Sequence, residues 1–190
     1  MDKRSRILEA AERSFGLFGY KATTMEQVAK LADVGKGTIY TFFKNKEELL
    51  NEIMEKLIAD MMRRAKAAID EHDTFFNNLH RALYDILEFR TQHQLTFKLT
   101  QEVREFGTGT AQAALDQFEA ALLAFLEAHI ETAMDKGKIV RCDPKKTAFV
   151  LYRLYVLFVY EWETRYGERL SKDEIADLFD RYLVLGLEPR

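Results

Sequence analysis

The chain has 190 residues, 47% of them hydrophobic, with only 2 prolines and 9 glycines, which suits a helical protein holding one sizeable core and a small appended domain. Its net charge of -3 argues against a protein that coats nucleic acid along its whole length, yet residues 1–46 carry +4 and the remainder -7. A single cysteine, Cys142, excludes an internal disulfide and a multi-cysteine metal site, and it fits a reducing compartment such as the cytoplasm.

The opening "MDKRSRILEAAERSF" is interrupted by charges every few residues and lacks the apolar core of a secretory signal. Ile7, Ala11, Phe15 and Phe18 recur at helical spacing and Gly19 follows as a stop, predicting a first helix over about Lys3–Phe18. Thr24, with Gln27 three residues on, forms a capping box that starts a second helix over about Met25–Ala32. A third, about Lys36–Phe43, ends before Asn45, whose side chain caps a long fourth helix carrying Leu50, Met54, Leu57, Met61 and Ala65 down one side. Glu47 and Glu48 lie at the positive end of that fourth helix.

Helical periodicity continues over roughly 74–91, 94–106, 110–136, 144–166 and 172–186. Gly107 and Gly109 break the middle, Gly137 suits a left-handed helix end, Asp143-Pro144 supplies a cap and a first-turn proline, and Ser171 with Glu174 makes a second capping box. The expectation is an all-α chain of nine helices without strands. The most apolar run, Ala148–Tyr160, spans 13 residues broken by Arg153, too short for a bilayer core of about 30 Å. No membrane partner is expected.

Only Asp33-Val34-Gly35 joins the second and third helices, so the two short rods must cross steeply, as in a helix-turn-helix. Val28, Ala32, Val34, Ile39 and Phe42 are assigned to a three-helix core with Ile7, Ala11, Phe15 and Phe18. That leaves Lys36, Gly37, Thr38, Tyr40 and Thr41 outward on the third helix, a surface suited to the major groove. Lys36 suits a guanine edge or a phosphate, Gly37 allows close backbone approach, and Thr38 and Thr41 suit bases. Tyr40, Lys46 and Thr24 suit phosphates, the last together with the amides that open the second helix.

"ILEAAERSFGLFGYKATTMEQVAKLADVGKGTIYTFFKNKEELL" resembles the N-terminal domain of TetR-family transcriptional regulators over about 45 residues. The family pattern runs through a Gly-Tyr turn, Thr-Thr, Lys-Gly-Thr-hydrophobic-Tyr and Lys-x-Lys-Glu; the rest of the chain agrees in length and helicity. The resemblance implies DNA contacts at Thr24, Lys36, Gly37, Thr38, Tyr40, Thr41 and Lys46. It also implies a DNA-binding domain over 1–46 and a helical ligand-binding and dimerisation domain over 47–190. Two positions depart from the pattern. Asp33 stands where glycine is commoner and is expected to adopt a left-handed backbone, and Thr41-Phe42 stands where Tyr or His is frequent.

Members of this family are usually homodimers that release DNA when a small molecule enters the helical C-terminal domain, and repression is their usual mode. "FVLYRLYVLFVYEW" is apolar on nearly every face and requires cover all round. Two readings stand: the centre of a monomeric core, or, preferred, a dimer interface of four helices through Tyr152, Val156, Val159, Leu178, Phe179 and Tyr182, with Ile175 and Leu185 on the same last helix. A twofold dimer would present two recognition helices about 34–36 Å apart to a near-palindromic operator. Phe89, Phe97, Phe118, Arg153, Tyr155 and Phe158 are candidates to line a cavity for a hydrophobic or amphipathic effector, the alternative being ordinary core. Glu102, Arg104 and Glu105 precede the Gly107 break and read as a pocket lid or, preferred, an exposed helix end.

Nothing in the chain points to an enzyme. The four histidines lack ligand spacing, "GTGT" at 107–110 lacks the phosphate-loop pattern, and no metal or cofactor is expected. The rival class is a helical small-molecule or protein-binding module that never touches DNA. It requires the polar surface of the third helix to be incidental.

Overall fold

The computed structural model describes residues 2–184, leaving out the side chains of residues 90–92, 183 and 184; Leu185 lies outside the described residues. The helices in chain order are α1 (Lys3–Phe18), α2 (Met25–Leu31), α3 (Lys36–Phe42), α4 (Lys46–Ala67), α5 (Phe75–Gln92), α6 (Gln94–Phe106), α7 (Gly109–Asp135), α8 (Pro144–Val156), α9 (Trp162–Tyr166) and α10 (Lys172–Phe179). A π-helical stretch, Leu157–Glu161, carries α8 into α9 without a break, and a second, Asp180–Val184, extends α10. Counted as continuous rods, the described residues form nine helices and no strand. None of these helices is long and apolar enough to cross a membrane.

Local chemistry sets most of the ends. Asp2 caps α1 by accepting from the Ser5 amide at 2.7 Å. Asn45 caps α4 through the Glu48 amide at 2.9 Å, and Glu48 reaches back to the Lys44 amide at 2.7 Å. Asp143 caps α8 with Pro144 in the first turn, and Ser171 with Glu174 closes a capping box on α10. Gly107, Gly137 and Gly167 take left-handed backbones at helix ends.

The chain forms two compact units: Met1–Asp60 with Arg90–Glu119, and Met61–Phe89 with Ala120–Arg190. In the first unit, Ile7, Ala11, Phe15, Val28, Ile39, Leu49 and Leu50 make the buried centre, with Leu95 and Leu99 of α6 also buried. Two assignments from periodicity need correction. Phe18 is 56% exposed, because α1 ends there and the stripe has rotated off the core. Phe42 is 40% exposed while Phe43 is 3% exposed: α3 stops at Phe42, and Phe43, in extended backbone, turns inward in its place.

The second unit is built around Leu83, Ile86, Leu87, Leu151, Tyr152 and Tyr155. Tyr155 reaches His80 of α5. Its hydroxyl donates to the His80 carbonyl at 3.1 Å and lies 2.6 Å from Nδ1. Burial keeps the Tyr155 hydroxyl neutral by raising its pKa and holds His80 below its ordinary 6.5, with Lys172 adding to the depression and Asp173, Asp180 and Asp85 opposing it. Arg81 joins the end of α4 to α5 through the Ala68 carbonyl, Asp73 at 2.6 Å and Asn78 at 2.7 Å.

Candidate nucleic-acid interface

The α2-turn-α3 segment is assembled from short-range contacts. Thr24 accepts from the Gln27 amide at 3.3 Å while Gln27 Oε1 accepts from the Thr24 amide at 2.8 Å. At the far end of α2 the chain must turn sharply, and Asp33 makes the turn with φ +52°. Asp is among the few side chains that tolerate this left-handed region. Arg6 of α1 braces it, donating to the Ala32 carbonyl, to the Asp33 carbonyl at 2.9 Å and to the Asp33 carboxylate at 3.3 Å. Arg6 thereby ties α1 to the end of α2 and the turn that follows it.

On α3 only Ile39 is buried, fully, and it anchors the helix in the core. Lys36, Gly37, Tyr40 and Thr41 are exposed and Thr38 is half-buried, so the polar front expected from the sequence lies on the outside. Nothing lies within 4 Å of a Cβ built on Gly37, so this glycine marks open backbone and not a packing constraint. Lys36 Nζ sits 2.8 Å from Glu26 Oε1 on α2, an exposed pair that lowers the Glu26 pKa and raises that of Lys36. Thr41 Oγ1 donates to the Thr38 carbonyl at 2.7 Å, folding its hydroxyl against the helix.

Lys46 is placed differently from its neighbours. Its ammonium donates to the carbonyls of Tyr20 (2.9 Å), Lys21 (3.3 Å) and Thr23 (3.2 Å) and lies 4.4 Å from the centre of the Tyr20 ring. All three ammonium protons are thus engaged on the α1-α2 turn, and burial lowers its pKa. Within the turn, Thr23 is buried, donates to the Gly19 carbonyl at 2.8 Å and accepts from Ser14 at 3.1 Å. Thr24 is exposed at the start of α2.

Glu102 also departs from the expectation drawn from the sequence. Expected at an exposed helix end, it is 4% exposed and accepts the Lys21 amide on both carboxylate oxygens at 3.1 Å. A signal was present: Leu95, Leu99 and Glu102 fall on one face of α6, so the acid continues an apolar stripe. Ser14, Thr23 and Glu26 also escaped notice, each being a small or charged residue whose partner is set by the tertiary fold.

The candidate cavity and dimer residues are more dispersed. Phe97 is 57% exposed on α6, whereas Phe118 is buried in the same unit. In the other unit Phe89 is buried beneath the Arg64 guanidinium, Tyr155 packs on Phe179, and Arg153 is exposed over the rings of Phe149 and Tyr152. Phe158, half-buried, borders an open cleft of about 570 Å³ with Trp162, Leu170, Glu174, Leu178 and Tyr182. Tyr152, Val159 and Phe179 are buried within their own unit, Val156 and Leu178 half-buried, and Tyr182 exposed. The exposed apolar side chains of the continuous rod from α8 through α9 are Phe149, Val150, Leu157 and Tyr166. Among the described residues no group of three His, Cys, Asp or Glu is placed to hold a metal ion.

A short helix anchored by the buried Ile39, polar in front and joined by a tight turn to a capped partner, defines a helix-turn-helix DNA-binding protein. Comparison with known proteins agrees. Residues 7–53 match the profile of the bacterial regulatory proteins of the tetR family. The uncharacterized HTH-type transcriptional regulator YhgD of Bacillus subtilis is 49% identical over 187 residues, covering 98% of this chain and 97% of its own length. The HTH-type transcriptional regulator TtgR of Pseudomonas putida is 40% identical over 181 residues, covering 85% of this chain and 80% of its own length. The solved structure of AibR in complex with isovaleryl coenzyme A and operator DNA matches with a TM-score of 0.62 and 25% identity, over 94% of this chain and 96% of that one. The chain belongs to the TetR family of DNA-binding transcriptional regulators, which are not enzymes.

Proposed function

We propose that this regulator is a homodimeric cytoplasmic repressor that leaves a near-palindromic operator when a small hydrophobic or amphipathic effector binds its C-terminal helices. The observation that carries the DNA side of this reading is the outward polar front of α3 above the buried Ile39. In this reading Lys36, Gly37, Thr38, Tyr40 and Thr41 meet the major groove, Thr24 meets a phosphate at the start of α2, and Lys46 holds the adjoining turn in shape. Support for an effector comes from AibR, whose structure holds both isovaleryl coenzyme A and operator DNA. The aromatic cleft at Phe158 and Trp162 is the candidate chamber within one unit. Support for a second copy comes from Phe149, Val150, Leu157 and Tyr182, apolar side chains left uncovered on the α8 rod and beyond α10.

The test is electrophoretic retardation of duplex from the region upstream of the chain's own gene, across a salt series, for wild type, Lys36→Ala and Tyr40→Phe. Retardation should weaken steeply with salt, and Lys36→Ala should lose about 1–3 kcal/mol if the lysine reads a base. Absent or salt-insensitive retardation would favour a module that never touches DNA. Native mass spectrometry of the purified protein should show a doubled mass and a co-purified small molecule. A bare monomer would count against both the dimer and the effector.

A further inference from the structure

Two helices grip the backbone of Lys21 in the α1-α2 turn. Glu102 of α6 accepts the Lys21 amide on both oxygens at 3.1 Å, while Lys46 of α4 donates to the Lys21 carbonyl at 3.3 Å and to its neighbours Tyr20 and Thr23. The negative group faces the N–H and the positive group faces the C=O, so both charges align with the backbone dipoles and the partly buried setting strengthens each bond. Gly19 makes room: a Cβ there would lie 2.6 Å from Glu102 Oε2, and φ +89° with ψ 162° belongs to the region open essentially to glycine. The turn leads directly into Thr24 and α2.

We propose that Glu102 is a positioning residue for operator binding. It ties α6 to the turn that sets where α2 and α3 sit, so presentation of the recognition helix depends on where α6 holds this carboxylate. The role rests on the DNA-binding reading and needs no effector. Glu102 makes no contribution of its own to the DNA surface, being buried behind the turn.

The test compares wild type, Glu102→Ala, Glu102→Asp and Lys36→Ala in two measurements: hydrogen exchange at the Lys21 amide without DNA, and affinity for the upstream duplex across a salt series. In Glu102→Ala the Lys21 amide should exchange faster and affinity should fall about tenfold. The slope of log affinity against log salt should stay at the wild-type value, because no phosphate contact is lost, whereas Lys36→Ala should reduce it by about one if that lysine contacts a phosphate. Glu102→Asp keeps the charge but draws it back by one methylene, and should lose Lys21 protection and bind about threefold more weakly. It carries the test alone if Glu102→Ala no longer melts cooperatively. Wild-type affinity in whichever variant folds, or a reduced salt slope like that of Lys36→Ala, would overturn the proposal. A wild-type chain that retards no duplex would overturn the operator reading and this role with it, a result distinguishable because the wild-type lane itself fails.

Discussion

Glu26 of α2 and Lys36 of α3 face each other across the helix-turn-helix with Nζ and Oε1 2.8 Å apart. If Lys36 meets a phosphate as proposed, that phosphate must first displace this carboxylate. Both side chains are exposed, so the pair adds little to folding, and its effect belongs to binding. Glu26→Gln should leave the melting temperature unchanged, tighten operator binding about threefold at low salt and steepen its salt dependence. Titration by fluorescence anisotropy at several salt concentrations checks this.

Gly19→Ala should be destabilising by about 2 kcal/mol from backbone strain alone, because the residue sits at φ +89° and ψ 162°. The added methyl would also push against Glu102. Denaturant melts measure the stability, and faster exchange at the Lys21 amide would report the displaced carboxylate.

Adjacent phenylalanines should behave oppositely. Phe43→Ala removes a side chain that is 3% exposed and should cost about 3–5 kcal/mol. Phe42→Ala, at 40% exposure, should change stability far less. Matched thermal and denaturant melts of the two variants decide the point. The contrast shows where the sequence was legible. Capping boxes at Thr24-Gln27 and Ser171-Glu174 involve residues three apart, and the structure contains both. The phase of a two-turn helix at its last residue is settled by packing, so periodicity assigned Phe42 to the core in place of Phe43.

His80 and Tyr155 give the second unit a pH dependence. The folded-state pKa of His80 lies below 6.5, so the folded protein takes up its proton less readily than the unfolded chain. Its stabilising contribution is present above about pH 6.5 and is lost as pH falls from there through the folded value. Melting temperature should therefore drop on acidification from about pH 7.5 to 5.5, and His80→Gln should flatten that part of the profile. Tyr155→Phe removes the hydroxyl from both His80 contacts and should cost about 1–3 kcal/mol at neutral pH.

Asp73 controls the more acidic limb. Its bonds from Asn77 and Arg81 and from the Thr74 amide hold its pKa at about 2 against an ordinary 3.8. Its contribution is complete above the unfolded value and is lost as pH falls from about 4 toward 2, a loss that Asp73→Asn should abolish in acid melts.

The His80 and Glu102 contacts mark the limit of what a linear reading can reach. Glu102 meets a residue 81 positions away and Tyr155 one 75 away, and no local pattern specifies such a pairing. The helix count, the caps, the left-handed Asp33 and the outward face of α3 depend on neighbours within a few residues, and these were legible. The exposure of Phe97 and the burial of Tyr152 depend on which helices pack together, information that a stripe of aromatics does not carry.

A recognition helix of seven residues with one buried anchor cannot persist as a free peptide, since so short a rod does not repay its own nucleation. Its shape is lent to it by the scaffold, and its outward letters are correspondingly free to change. If α3 reads the operator as proposed, new operator preferences can therefore arise by exchanging residues around Ile39 while the rest of the fold stays as it is, making this helix an interchangeable reading head.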